Sequence, residues 1–119
     1  METIMPVIVL YKEKEIPTKV TTEIATSLAA LTNEMLKAKI EVRVLEPVDS
    51  YNANEVHLEM RFRDFGEWSD DQLSTYHKAA MDLIGRVLAS AGIRCSYSLY
   101  ILPSDPKRSI WDQAKTGVK

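Results

Sequence analysis

Two changes of hydrophobic period, each occurring twice, constrain this chain more than any other feature. A continuous apolar, β-branched run from Val7 to Tyr11 is followed by Val20, Ile24, Leu28, Leu31 and Met35 at spacings of three and four, then by Ile40, Val42 and Val44 at a spacing of two. These patterns predict a strand covered on both faces, an amphipathic helix ending near Lys37 to Lys39, and a half-buried strand. Pro17 and Thr18 mark the helix start, with Thr18 as a possible cap.

The second half runs through the same succession. Val56, Leu58, Met60 and Phe62 alternate with His57, Glu59, Arg61 and Arg63, which predicts a third strand. Ser69 followed by Gln72 forms a capping box that opens a second helix, with Leu73, Tyr76, Ala80, Leu83 or Ile84, Val87 and Leu88 as its buried stripe and Gly92 as its stop. Cys95, Tyr97, Leu99 and Ile101 then alternate with Ser96, Ser98 and Tyr100 as strand four. Between the halves, residues 46–54 carry Pro47, Asp49, Ser50, Asn52 and Asn54 and have the composition of a loop.

The order β-α-β-β-α-β predicts an α+β chain of two consecutive βαβ units, forming a four-stranded mixed sheet with both helices on one face. The other face would carry Glu41, Arg43, His57, Glu59, Arg61, Arg63, Ser96, Ser98 and Tyr100. Such a face is either open to water or paired against sister subunits, its arginines and glutamates satisfying one another. At 119 residues the chain fits one domain, with residues 1–5 as a leading extension and 103–119 as a polar tail around Trp111.

Composition excludes several classes of function. The 15 basic and 17 acidic residues nearly cancel, without a Lys/Arg run, so nucleic acid is not an expected partner. No apolar stretch reaches the roughly 20 residues that span a bilayer, and the start lacks signal-peptide character, so no membrane and a cytoplasmic location are expected. Cys95 is the only cysteine, and its apolar phase predicts a buried thiol rather than a reactive one. His57 and His77 lack metal-ligand spacing, and no phosphate-binding glycine motif is present, so neither metal nor cofactor is expected.

The pair Met5-Pro6 before strand one, the doubled βαβ order, Val42-Arg43-Val44, the arginines Arg61 and Arg63 ending strand three, and a tryptophan in the tail together resemble the tautomerase superfamily. The likeness is to its longer branch, which includes macrophage migration inhibitory factor and malonate semialdehyde decarboxylase. The resemblance implies a homotrimer with pockets at subunit boundaries, in which an N-terminal proline acts on small 2-keto or enol carboxylates. Carried over residue by residue, it implies Pro6 and Arg43 as catalytic, with Arg61, Arg63, Lys37, Tyr97 and Trp111 binding substrate. Lys39 is an equal match to Lys37. The residues themselves also allow plainer roles: surface or intersubunit ion pairs for the three arginines, a packing anchor for Trp111, and a core position for Tyr97.

The chemistry requires a free imino nitrogen. A proline at the chain start is a secondary amine whose ammonium form is disfavoured by an apolar pocket and nearby cations, so it can act as a general base. With Met1 to Met5 attached, the Pro6 nitrogen is instead a tertiary amide without a titratable proton. The chain also lacks an arginine in the 12–15 stretch, where single-unit tautomerases carry a second catalytic one. Two readings follow: an enzyme whose mature chain begins at Pro6 after loss of Met5, or a trimeric binding or scaffold protein without proline chemistry. A ferredoxin-like ligand-binding module shares the element order but places strand two beyond strand three.

Overall fold

The computed structural model describes residues 6–13, 15–45, 55–63 and 66–116; the leading residues 1–5, the 46–54 stretch expected to be a loop and the end of the tail lie outside the described residues. The elements are β1 (Val7–Lys12), α1 (Thr18–Leu36), β2 (Glu41–Leu45), β3 (Val56–Phe62), α2 (Asp70–Ser90), β4 (Ser96–Pro103), a short 3-10 turn (Pro106–Arg108) and β5 (Ile110–Lys115). They form one sheet in the order β2-β1-β3-β4-β5. Strands β1 and β2 run parallel, as do β3 and β4, while β1 and β3 meet antiparallel. Each βαβ unit is therefore a parallel pair with its own crossover helix, and the two units join at β1 and β3. Because β2 lies beside β1, the ferredoxin-like order is excluded.

The alternation signals divide the sheet as expected. Ile8, Leu10, Leu58, Met60, Leu99 and Ile101 are fully buried, and they pack with Ile24 and Leu28 of α1 and Leu73, Ile84 and Leu88 of α2. Thr32 and Tyr76 supply one polar contact in this core. The Thr32 hydroxyl donates to the Leu28 carbonyl at 2.7 Å, so its oxygen accepts from the Tyr76 hydroxyl, also at 2.7 Å.

Both helix boundaries of α2 follow their sequence signals. The Ser69 side chain accepts from the Gln72 N–H at 3.0 Å. At the other end Gly92 has φ +73, and the N–H groups of Gly92 and Ile93 return to the carbonyls of Ala89 and Leu88, a Schellman closure. The start of α1 differs from expectation: Pro17, not Thr18, is the N-cap, and no side chain caps it. Thr18 instead lies inside the first turn, where its carbonyl accepts from the Thr21 hydroxyl.

The tail departs furthest from the expected architecture. Residues 110–115 add a fifth strand, antiparallel to β4, with Tyr100 opposite Trp111. Its apolar signal is weak, since only Ile110 and Ala114 are partly buried and the rest is exposed, as befits a sheet edge. Arg108 fastens the connection: its Nε donates to an Asp70 carboxylate oxygen at 2.7 Å, and its Nη2 donates to the Trp68 carbonyl.

Candidate active site

Strand direction decides which predicted residues meet. The start of β1, the start of β2, the end of β3 and the end of β4 lie at one end of the sheet. Pro6 is buried there, directly ahead of β1, and its carbonyl accepts the Glu41 N–H at 3.2 Å. The next residue, Val7, stands opposite Glu41 on one side and Arg61 on the other. Val9, one step deeper on the same face, stands opposite Arg43 and Glu59.

These registers place four charges at the corners of a rectangle around Val7 and Val9, with like signs on the diagonals. With strands about 4.8 Å apart and residues rising about 3.3 Å, the Arg43 and Arg61 backbones are about 12 Å apart. Each arginine has a carboxylate beside it on its own strand. Arg43 Nε donates to Glu41 Oε1 at 2.9 Å in a pair exposed on both sides, worth little in water. Arg61 donates from Nε and Nη2 to Glu59 Oε1 at 3.1 and 2.5 Å, and here the carboxylate is buried.

The buried carboxylate continues into a polar chain. Glu59 Oε2 lies 2.9 Å from His57 Nε2, and His57 Nδ1 lies 2.5 Å from Ser98 Oγ. His57 is 2% exposed, Glu59 4% and Ser98 0%, so the centre of this face is closed to solvent rather than open. Tyr11 stacks on the imidazole at 5.9 Å between centroids, and Tyr100 meets it edge-on at 4.7 Å.

Two more predicted residues belong to the Pro6 end. Lys37 caps α1 in the left-handed conformation, φ +53, and is exposed three residues before the Ile40 that precedes β2. Arg63, also exposed, follows the last residue of β3. Trp68 at this end had no role in the sequence reading. It donates its indole N–H to the Leu36 carbonyl at 3.0 Å and meets Phe62 edge-on at 5.1 Å, joining the end of α1 to the end of β3. Its position immediately before the Ser69 cap, with buried Leu73 at the fourth helical position, is a staple pattern that could have drawn attention to it.

Tyr97 and Trp111 stand apart from this group within one chain. Tyr97 is six residues from the end of β4, about 20 Å along the strand, and faces the helices. Burial foremost, then the carboxylates of Asp82 and Asp112 and the Cys95 side chain, push its phenol above the ordinary tyrosine range. Trp111 lies on the opposite sheet face, in the same row as Glu59 and Tyr100, and is 65% exposed, so its ring is not a core anchor. Cys95 is buried, and burial together with Glu55 pushes its thiol up against the opposing effect of Thr116, which argues against a reactive thiolate. Among the described residues no helix is long and apolar enough to cross a membrane.

No family model matches this chain, and no curated protein is significantly similar to it in sequence. Solved structures do match. A 5-carboxymethyl-2-hydroxymuconate isomerase from Deinococcus radiodurans R1 superimposes with a TM-score of 0.59 at 12% identity, over 82% of this chain and 80% of the other. A fused 4-OT wild-type symmetric trimer superimposes with a TM-score of 0.58 at 11% identity, over 82% of this chain and 84% of the other. With its paired βαβ units and its strand order, the chain has the tautomerase-superfamily fold.

Proposed function

We propose that this chain, when it begins at Pro6, is a tautomerase that moves a proton on a small 2-keto or enol carboxylate. The observation that carries the reading is the register at the start of β1, where Pro6 directly precedes a residue flanked by Arg61. In this mechanism the Pro6 imino nitrogen, at a buried position one residue before Val7 and its neighbour Arg61, is held unprotonated and removes a proton next to the keto group. It then returns the proton to another atom of the conjugated system. Arg43 and Arg61 receive the carboxylate and the charge of the enolate, with Lys37 and Arg63 at the rim.

A homotrimer completes the proposal. One fold relative supports it, the fused 4-OT symmetric trimer. Trp111, exposed and remote from Pro6 within one protomer, would then act from a neighbouring one, while Tyr97, packed beneath α2, keeps its core role. The exposed Val44 and Leu45 on edge strand β2 are surface that such assembly would cover.

The second reading, a scaffold without proline chemistry, has its own supporting observation: Arg43 and Arg61 already have carboxylate partners in Glu41 and Glu59. Protein beginning at Pro6, compared with its Pro6→Ala variant, separates the two. Ketonisation of phenylenolpyruvate or 2-hydroxymuconate that is lost with Pro6→Ala supports the enzyme. Equal behaviour of the two proteins overturns it, as does an intact mass beginning at Met1 for protein made from its own gene start.

A further inference from the structure

We infer that Ser98, His57 and Glu59 form a relay that positions the Arg61 guanidinium, a role that deepens the proposed function and rests on it only for its effect on substrate. The relay follows the period of β3. His57, Glu59 and Arg61 are alternate residues and share one face, opposite Tyr11, Val9 and Val7 respectively, so the chain runs from the middle of the sheet to the Pro6 end. Ser98 joins from β4, where it pairs with His57.

Hydrogen-bond chemistry gives the chain a direction. Ionised Glu59 only accepts, so His57 Nε2 carries a hydrogen and donates to Oε2. The other ring nitrogen, Nδ1, is hydrogen-bonded to the Ser98 hydroxyl. Tyr11 and Tyr100 hold the imidazole plane, and Ser98 sets its rotation. With Oε2 held by His57, Oε1 is presented to Arg61 in one orientation, and two N–H groups of the guanidinium fasten to that single oxygen. The Arg61 side chain is 61% exposed and the Glu59 side chain 6%, so the relay gives an exposed guanidinium a buried anchor. Ser98 and His57 therefore act through Glu59 as positioning residues.

The test uses protein beginning at Pro6 and its Ser98→Ala, His57→Leu and His57→Gln variants. One readout is solvent exchange of the Arg61 Nε–H by nitrogen-15 NMR, assigned by its loss in Arg61→Lys; the other is KM and kcat for 2-hydroxymuconate. Removing His57 as Leu is expected to speed that exchange roughly tenfold and to lower kcat/KM roughly tenfold, because Arg61 holds both the substrate carboxylate and the enolate charge. Glutamine, with an amide N–H for Glu59 and an oxygen for Ser98, restores both. Ser98→Ala moves both in the same direction by about threefold, and it decides the matter should His57→Leu not fold. Unchanged exchange in a folded His57→Leu or Ser98→Ala protein overturns the relay. If exchange responds as expected while no variant, including the parent, turns over substrate, the relay stands and the tautomerase reading falls.

Discussion

The Tyr97 hydroxyl occupies the space that a Cβ on Gly85 would need. A methyl at position 85 would lie 2.4 Å from Tyr97 Oη and 3.2 Å from Cζ, well inside contact distance. A glycine in the middle of α2 costs about 1 kcal/mol of helix propensity relative to alanine. Here that cost admits a tyrosine from β4 beneath the helix, and the two residues must be considered as one packing unit.

Gly85→Ala is therefore expected to destabilise by about 1–3 kcal/mol despite its better propensity, because the Tyr97 ring must leave its rotamer. Tyr97→Phe removes the oxygen at 2.4 Å but leaves the carbon at 3.2 Å, so the double variant should recover part of the loss. Urea denaturation of the two single variants and the double measures the coupling. Additive single effects would show that the hydroxyl and the glycine are not in contact.

Tyr76 gives a prediction in pH. Burial pushes its phenol up to about 12. The folded state thus prefers the protonated phenol more than the unfolded state does, whose value is 10.0. The contribution is complete below pH 10 and is lost as pH rises from 10 through 12, amounting to roughly 3 kcal/mol for two units. Denaturation of wild type and Tyr76→Phe at pH 8, 10 and 12 should show wild type losing more stability across that window. Parallel curves would contradict the assignment.

What could be read from the chain, and what could not, divides by range. The cores of β3 and β4, the Ser69 cap and the Gly92 stop depend on neighbours a few positions away, and each appears where its pattern places it. Strand β5 escaped notice because Trp111, Asp112 and Gln113 pair with an edge and need no apolar alternation. The polar face of β3 was legible as a row of His57, Glu59 and Arg61, but its hydrogen-bond order depends on Ser98, 41 positions from His57, and that pairing is a property of the sheet. Likewise the register that sets Arg61 opposite Val7, the residue after Pro6, follows from the antiparallel junction of β1 and β3, which no local pattern specifies.

Trp68 should behave as a structural pin at the Pro6 end. Trp68→Phe keeps an aromatic ring against Phe62 but removes the donor to the Leu36 carbonyl, one of the carbonyls left without a helical partner at the end of α1. The expected loss is about 1–3 kcal/mol, from the unmade hydrogen bond and the smaller ring. Amide exchange would report it as faster opening of the last turn of α1. Unchanged protection there would mean that the indole hydrogen bond contributes nothing to the helix end.

Lys37 allows backbone strain and the proposed substrate site to be tested in one variant. Its φ of +53 is a conformation in which a side chain is disfavoured and glycine is not, at the position where helices most often end with glycine. Lys37→Gly is accordingly expected to stabilise the folded protein by about 1 kcal/mol, and thermal unfolding should show a higher Tm. If the lysine belongs to the substrate site, the same variant of a chain beginning at Pro6 raises KM for 2-hydroxymuconate while kcat changes less, because a remote cation contributes to binding rather than to proton transfer. A higher Tm with unchanged KM would assign the site to Lys39 or to neither lysine, since a residue that carries backbone strain without affecting the ligand has no part in binding it.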